Sequence, residues 1–342
     1  MTEMLSVPAD LVPPFMRPFA SAMLYGLWGW MSRQLQVVVK AGVPDMLGDE
    51  PQSAASLAAA TGCDADALDR FLRALSGCDI FERLPDGTYR HTPISRCLRR
   101  DAPMSAEASA QLQATPIYQA ALSNLEHTLR TGRPAIETVA PDGFFSYLRT
   151  HPEEARIFDY AMSSITAADN AGIVGAYDFS QSKVIADIGG GQGALAHAIL
   201  ERTQNVQLIL FDLADVVADA APAARLQIQA GDFLTDPLPS ADLHILKLIL
   251  HDWPDAAAVG ILSAVRRAAR VGGKLLVIEP LMSETAGFHP SNIMDVSMLA
   301  LAGGRERTPR QFQQVFSDTG FRLLQVIPTT SPVAQIVEAE AV

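Results

Sequence analysis

From residue 183 onward the chain repeats one rhythm: a short apolar run, a turn, an amphipathic helix, and another short apolar run. The runs are "KVIADIGG" (183–190), "VQLILFDL" (206–213), "RLQIQAGDF" (225–233), "ADLHILKLIL" (241–250) and "GKLLVIEPL" (273–281), with segments such as "ALAHAILERT" and "AAAVGILSAVRRAARV" between them. Continuous apolar runs need cover on both faces, and strands joined through helices run parallel, so this spacing predicts a parallel sheet between two helical layers. The final runs, "FRLLQVIPTT" and "VAQIVEAEAV", follow one another without a helix, so one of them is expected to be antiparallel.

At 342 residues the chain is too long for one core, and a second domain must precede the sheet. "SRQLQVVVKAGVPDML" (32–47) has helical spacing and ends at Gly48 and Pro51. The next segment, 53–95, reads as two helices capped by Ser53 and Asp64, then a hairpin turned at "PDG". That is a winged-helix pattern. Such modules often hold DNA, yet residues 63–100 carry seven arginines against six acids, and the whole chain carries a net charge of −12. This leaves little attraction for phosphate, so nucleic acid is not an expected partner and the module is read as a dimerisation domain. Three cysteines, Cys63, Cys78 and Cys97, match neither a disulfide framework nor a zinc spacing, which suits a reducing cytoplasm. The uncharged stretch "PFASAMLYGLWGWMS" between Arg17 and Arg33 is too short to span a bilayer and reads as a buried or subunit-interface helix. The expected division is a winged-helix domain over 1–100, a helical linker and lid over 101–180, and a ligand-binding α/β domain over 181–342.

"VIADIGGGQGALAHAI" is a strand, a glycine-rich turn and a helix, the arrangement in which backbone approaches a nucleotide. Gly189, Gly191 and Ala194 also satisfy a loose dinucleotide fingerprint, which keeps a nicotinamide oxidoreductase open as a reading. Asp187 before the glycines and "GDF" after the third run favour a cationic nucleoside without phosphate, and S-adenosylmethionine is such a ligand. On that reading Gly189, Gly190 and Gly191 form the turn and Asp212 takes both ribose hydroxyls. Asp232 and Phe233 meet the adenine, and Lys247 meets the carboxylate.

The ordered motifs "DIGGGQG", "FDL", "GDF", "LKLILHDW", "GKLLVIE", "MDVSML" and "GGRERT" resemble the S-adenosylmethionine-dependent O-methyltransferases of the plant caffeic acid and isoflavone type and their bacterial natural-product relatives. The resemblance spans roughly residues 30–342. It implies a class I methyltransferase fold with a seven-stranded, mostly parallel sheet, a homodimer formed through the N-terminal domain, and a small aromatic acceptor. It also implies that His251 is the general base, flanked by Glu279 and Glu306, and that Phe158, Met162 and Thr166 lie on a helix closing over cofactor and acceptor. Asp252, Trp253, Met294 and Met298 are pocket candidates.

The chemistry is consistent with those residue types. Methyl transfer from a sulfonium is an in-line displacement, so an oxygen nucleophile must be aligned behind the methyl group in a pocket poor in water. A phenol with pKa about 10 is protonated at neutral pH, whereas an imidazole near 6.5 is mostly free to accept its proton. The remaining histidines form no metal-ligand spacing, and metal-independent transfer is expected. Two further readings stay open: a family member that keeps the cofactor but catalyses hydroxylation or decarboxylation, and a winged-helix regulator that senses the cofactor.

Overall fold

The computed structural model describes residues 12–287, 289–331 and 333–342; the side chains of residues 166–168 lie outside that description. The chain forms two compact units: residues 1–119 with 156–164, and residues 120–155 with 165–342.

In the first unit a long helix, Arg17–Lys40, ends where Gly42 adopts φ +75°, and a second short helix, Val43–Leu47, follows. The continuous segment expected over 32–47 is therefore broken: helical periodicity continues through the break, and only the left-handed glycine interrupts the backbone. Helices Ala54–Thr61 and Ala65–Ser76 begin at Ser53 and Asp64, whose side chains accept from the N–H groups of Ser56 and Ala67. Strands β1 (Phe81–Arg83) and β2 (Tyr89–His91) pair antiparallel as the wing. Leu57, Leu68, Leu72, Leu75, Phe81 and Tyr89 form its core, and the Tyr89 hydroxyl donates to Asp69 at 2.8 Å so that the buried phenol is satisfied. The long helix exposes Phe19, Met23, Leu27 and Trp30 along one side and Tyr25 on another. Among the described residues no helix is long and apolar enough to cross a membrane.

The second unit is built on seven strands: β3 (Val184–Ile188), β4 (Gln207–Asp212), β5 (Leu226–Ala230), β6 (Leu243–Lys247), β7 (Lys274–Glu279), β8 (Phe321–Ile327) and β9 (Gln335–Ala341). Their order is β5-β4-β3-β6-β7-β9-β8. β3 pairs parallel with both β4 and β6, and β9 runs antiparallel to β7 and β8. The order reverses direction between β3 and β6, and the crevice outside the carboxyl ends at such a switch point is where sheets of this kind bind ligands. Alternate residues fill two cores. Ala186, Phe211, Leu246, Leu275 and Val277 pack with helices Asp255–Ala268 and Pro309–Asp318 on one face. Ile185, Leu208, Ile245, Leu276 and Ile278 pack with Ile173, Leu195 and Ile199 on the other.

One strand ends earlier than hydropathy suggests. "LKLIL" reads as a continuous strand, but β6 stops at Lys247, Leu248 turns to φ +54°, and Leu250–Asp252 is a single 3-10 turn. A branched side chain in the left-handed region costs roughly 1–3 kcal/mol, so the turn persists only because its surroundings hold it. Lys247 ends the strand rather than beginning its apolar half, and His251 sits on the turn rather than at the strand's tip.

Candidate active site

Four strands deliver acidic or basic side chains to their carboxyl ends: Asp187 from β3, Asp212 from β4, Lys247 from β6 and Glu279 from β7. Between β3 and the helix Ala194–Arg202, Gly189, Gly191 and Gly193 all take positive φ. Gly190 is required for a second reason: a Cβ there would stand 2.6 Å from Asp187 Oδ2. The Gly189 N–H donates to Phe211 O at 2.7 Å and the Gly191 N–H to Asp212 Oδ2 at 2.8 Å, tying the turn to β4. Asp212 Oδ1 accepts from its neighbour Leu213 at 2.7 Å, so each oxygen already has a backbone donor and keeps a lone pair free.

Asp187 is buried to 1%, and neither of its carboxylate oxygens has a hydrogen-bond partner among the described residues. Burial pushes its pKa up to about 7, against the pull of Lys247 and with a further push from Asp212. A buried, undersaturated acid beside a glycine turn and a second acid suits a ligand that brings a cation and hydroxyl donors. A pyrophosphate would meet two carboxylates there. These residues fit S-adenosylmethionine, which carries an ammonium, a sulfonium and ribose hydroxyls. Lys247 Nζ lies 3.6 Å from Asp169 Oδ2, a fully buried carboxylate, and burial lowers the lysine's pKa against the attraction of Asp169 and Asp187. Asp169, which no motif marks, also accepts a hydrogen bond from the Ser331 hydroxyl. Only its distance along the chain hides it from motif analysis.

After β5, Asp232 Oδ1 accepts from the Leu234 N–H at 2.8 Å, which shapes the "GDF" turn. Phe233 lies beside Gly189 and meets Trp253 edge-on at 6.0 Å between ring centroids. Trp253 in turn lies nearly parallel to Phe145, at 6.4 Å and 19°. Phe145 extends the aromatic wall. No motif marked it, since its helix Phe144–Thr150 carries no spacing signal of its own.

His251 is gripped from several sides. Its Nδ1 lies 2.9 Å from Glu306 Oε1, and its Nε2 lies 3.7 Å from Asp252 Oδ1. Glu279 differs from expectation: Oε1 accepts from the backbone N–H groups of Ile249 (3.2 Å) and His251 (3.1 Å), so it holds the turn rather than the ring. Glu306 does not cap the helix that follows it, because Thr308 does so in reciprocal bonds with Gln311. Burial alone would lower the histidine's pKa, but Asp252, the Glu306 hydrogen bond and Glu279 together push it up to about 9. The free imidazole near 6.5 expected from its type is therefore corrected. Burial raises Glu279 to about 7, and it raises Asp252 as well.

The helix Pro290–Ala302 carries Met294, 40% exposed, and Met298, whose carbonyl accepts from the Gly304 N–H at 3.2 Å. Between them Asp295 accepts from the Glu306 N–H at 2.9 Å, anchoring the segment that supports the histidine. Phe158 and Met162 belong to the first unit, where they pack around Ala108, Leu112 and Ala161, and the Thr166 side chain lies outside the described residues. Among the described residues no group of three His, Cys, Asp or Glu side chains is arranged to hold a metal ion.

Comparison with known proteins fits this geometry. The model of an O-methyltransferase domain matches residues 122–322, and that of an O-methyltransferase dimerisation domain matches residues 26–101. The chain is 35% identical over 333 residues to a phenazine O-methyltransferase of Lysobacter antibioticus, covering 95% of this chain and 97% of that protein. It is 36% identical over 313 residues to the O-demethylpuromycin-O-methyltransferase of Streptomyces alboniger, covering 88% and 83%. It matches the crystal structure of an O-methyltransferase from neocarzinostatin biosynthesis, in complex with S-adenosylmethionine and 2-hydroxy-5-methyl naphthoic acid. That match has a TM-score of 0.77 at 30% identity and covers 91% of this chain and 96% of the other.

Proposed function

The chain belongs to the S-adenosylmethionine-dependent O-methyltransferases that carry an N-terminal dimerisation domain, and on that premise we propose that it methylates a phenolic hydroxyl of a small aromatic natural product, with His251 as general base. The observation that carries this reading is the 2.9 Å contact between His251 Nδ1 and the buried Glu306. With Nδ1 bonded to a carboxylate, Nε2 is left as the proton-accepting nitrogen, as in a hydrolase where an acid fixes the tautomer of its histidine.

When bound, S-adenosylmethionine supplies an electrophilic methyl group on a positively charged sulfur. Asp187 and Lys247 would hold its charged amino-acid end, Asp212 its ribose, and Asp232 with Phe233 its adenine. His251 removes the hydroxyl proton as the acceptor oxygen becomes a nucleophile, and Glu306 with Asp252 stabilises the imidazolium that results. Trp253 and Phe145 offer flat apolar faces to an aromatic acceptor. The relatives named above are a phenazine and an O-demethylpuromycin O-methyltransferase and an enzyme that binds a naphthoic acid, which supports a fused or substituted aromatic ring here. The uncovered side of the long helix with Phe19, Met23, Leu27 and Trp30 supports a homodimer formed through the N-terminal domain.

The test is calorimetry with S-adenosylhomocysteine and NADH, followed by turnover on hydroxylated naphthoic acids and phenazines with the wild type and His251→Ala. S-adenosylhomocysteine binding, no NADH binding, and loss of turnover in a variant of unchanged cofactor affinity are expected. NADH binding alone would overturn the cofactor assignment, and undiminished turnover in the variant would remove His251 from the mechanism.

A further inference from the structure

We infer that Arg307 is a positioning residue for the histidine, its guanidinium gripping the backbone on both sides of His251. The inference rests on the reading of His251 as the base. Arg307 is 1% exposed, and a buried guanidinium is expensive unless its N–H groups are satisfied. Nη1 donates to Leu250 O at 2.9 Å, and Nη2 donates to Trp253 O at 3.2 Å and to Asp255 Oδ1 at 2.9 Å. Leu250 O opens the 3-10 turn that carries the histidine and also accepts the Trp253 N–H at 3.2 Å, while Trp253 O lies just past the turn's end, so the fork spans the turn. An apolar side chain would fill the same volume at lower cost, but it could not hold two carbonyls at a fixed separation.

The neighbouring residues act on the same turn. The Arg305 N–H donates to His251 O at 2.8 Å, and a Cβ on Gly304 would come within 2.0 Å of that oxygen, so the strands of backbone touch. The Arg307 carbonyl accepts from the Met282 N–H at 3.0 Å and its residue bridges Leu281 in parallel fashion, which keeps the segment extended. In extended chain adjacent side chains point to opposite faces. Glu306 accordingly reaches the imidazole while Arg307 reaches the carbonyls behind it, and one short segment sets both the ring and the turn that bears it. Asp255, at the start of the helix Asp255–Ala268, is shared by Arg305 (2.7 Å) and Arg307 and so fixes the fork from the solvent side.

Lysine keeps the charge of Arg307 but loses the planar fork, so Arg307→Lys lets the turn relax without emptying the site. In the full-length protein kcat is expected to fall roughly 10- to 100-fold, the cost of displacing a reacting group by about an ångström. S-adenosylhomocysteine affinity stays within about twofold, because Arg307 touches none of the residues assigned to the cofactor. The pH–rate limb should move to lower pH as the Glu306 contact loosens, and in a His251→Ala background Arg307→Lys should cost nothing further. Asp255→Asn, which weakens the same fork from an exposed position, should shift the limb in the same direction with a smaller loss of kcat, and it decides the matter if Arg307→Lys does not fold. An unmoved limb in the folded variants, or losses that add to those of His251→Ala, would overturn the inference. Wild-type turnover in His251→Ala would refute the base assignment and this inference with it. Loss in His251→Ala alongside wild-type kcat and limb in Arg307→Lys would refute the clamp alone.

Discussion

Replacing Asp187 by asparagine should stabilise the ligand-free protein at alkaline pH, by an amount that can be worked from its burial. The carboxyl titrates at 3.8 when solvated and at about 7 in the fold, because burial disfavours its charge. A group whose folded pKa is raised contributes stability that is present below the unfolded pKa and lost as pH rises through the folded one. At about 1.4 kcal/mol per pH unit, the loss sets in above the unfolded pKa and is complete, at about 4 kcal/mol, above pH 7. The amide cannot ionise and escapes this loss, but it brings its own cost of about 1–3 kcal/mol for buried groups without partners and removes one of the charges that face Lys247. Those costs are the same at every pH between 5 and 8. The quantity to measure is therefore how the stability difference between Asp187→Asn and wild type changes with pH, by urea unfolding at pH 5 and pH 8 without ligand. It should move by about 3 kcal/mol in favour of the variant, while S-adenosylhomocysteine affinity falls. A difference that is flat with pH would show that Asp187 is not held as a desolvated acid, and the argument for a cationic ligand beside it would fail.

Because its three carboxylate neighbours outweigh burial and set His251 at about 9 in the ligand-free chain, and a base works only when deprotonated, kcat/KM for S-adenosylmethionine, which reports the free enzyme, should still be rising between pH 7.5 and 9; a plateau by pH 7 would contradict the geometry. Glu306→Gln keeps an acceptor for Nδ1 but removes its charge, so the limb should move down by roughly one unit and the maximal rate should fall roughly tenfold or more; stopped-flow or discontinuous rates across pH measure both. Gly304→Ala drives a Cβ into the backbone of His251 and Asp252, which cannot move aside as a flexible side chain would, and should cost about 1–3 kcal/mol in thermal unfolding along with most of the turnover.

The sheet was legible because its signal is periodic. Apolar runs separated by helices define parallel strands, and the adjacent pair at the end defines the antiparallel one, which proves to be β9. The glycine turn was legible because three left-handed positions in five residues tolerate no other residue easily. What hydropathy could not reveal is the end of β6: Leu248, Ile249 and Leu250 are as apolar as the strand before them, and only φ +54° at Leu248 turns the chain away. The partners of that turn were hidden for a different reason. Arg307 lies 54 residues from Trp253 and 52 from Asp255, and Asp169 lies far upstream of Lys247, so no local spacing relates them. Glu279 was found as a residue but not as a contact, since a sequence does not tell whether an acid faces a ring or the amides beneath it.

The carboxylates around His251 also alter the chemical argument that residue type alone supports. A free imidazole near 6.5 would be available at neutral pH but would take a proton from a phenol of pKa about 10 against a gap of more than three units. Surrounded by Asp252, Glu279 and Glu306, His251 approaches the phenol's own basicity, so the transfer becomes nearly balanced. The penalty lies in population: at neutral pH most ligand-free molecules hold the protonated ring. A cation brought into the same crevice opposes the proton electrostatically and shifts that population toward the free base. The residues that keep His251 protonated in the ligand-free chain are thus the ones that stabilise the imidazolium once the acceptor's proton arrives. Removing any one of them should lower the pH of the limb and the maximal rate together, a coupling that a purely structural cluster would not produce.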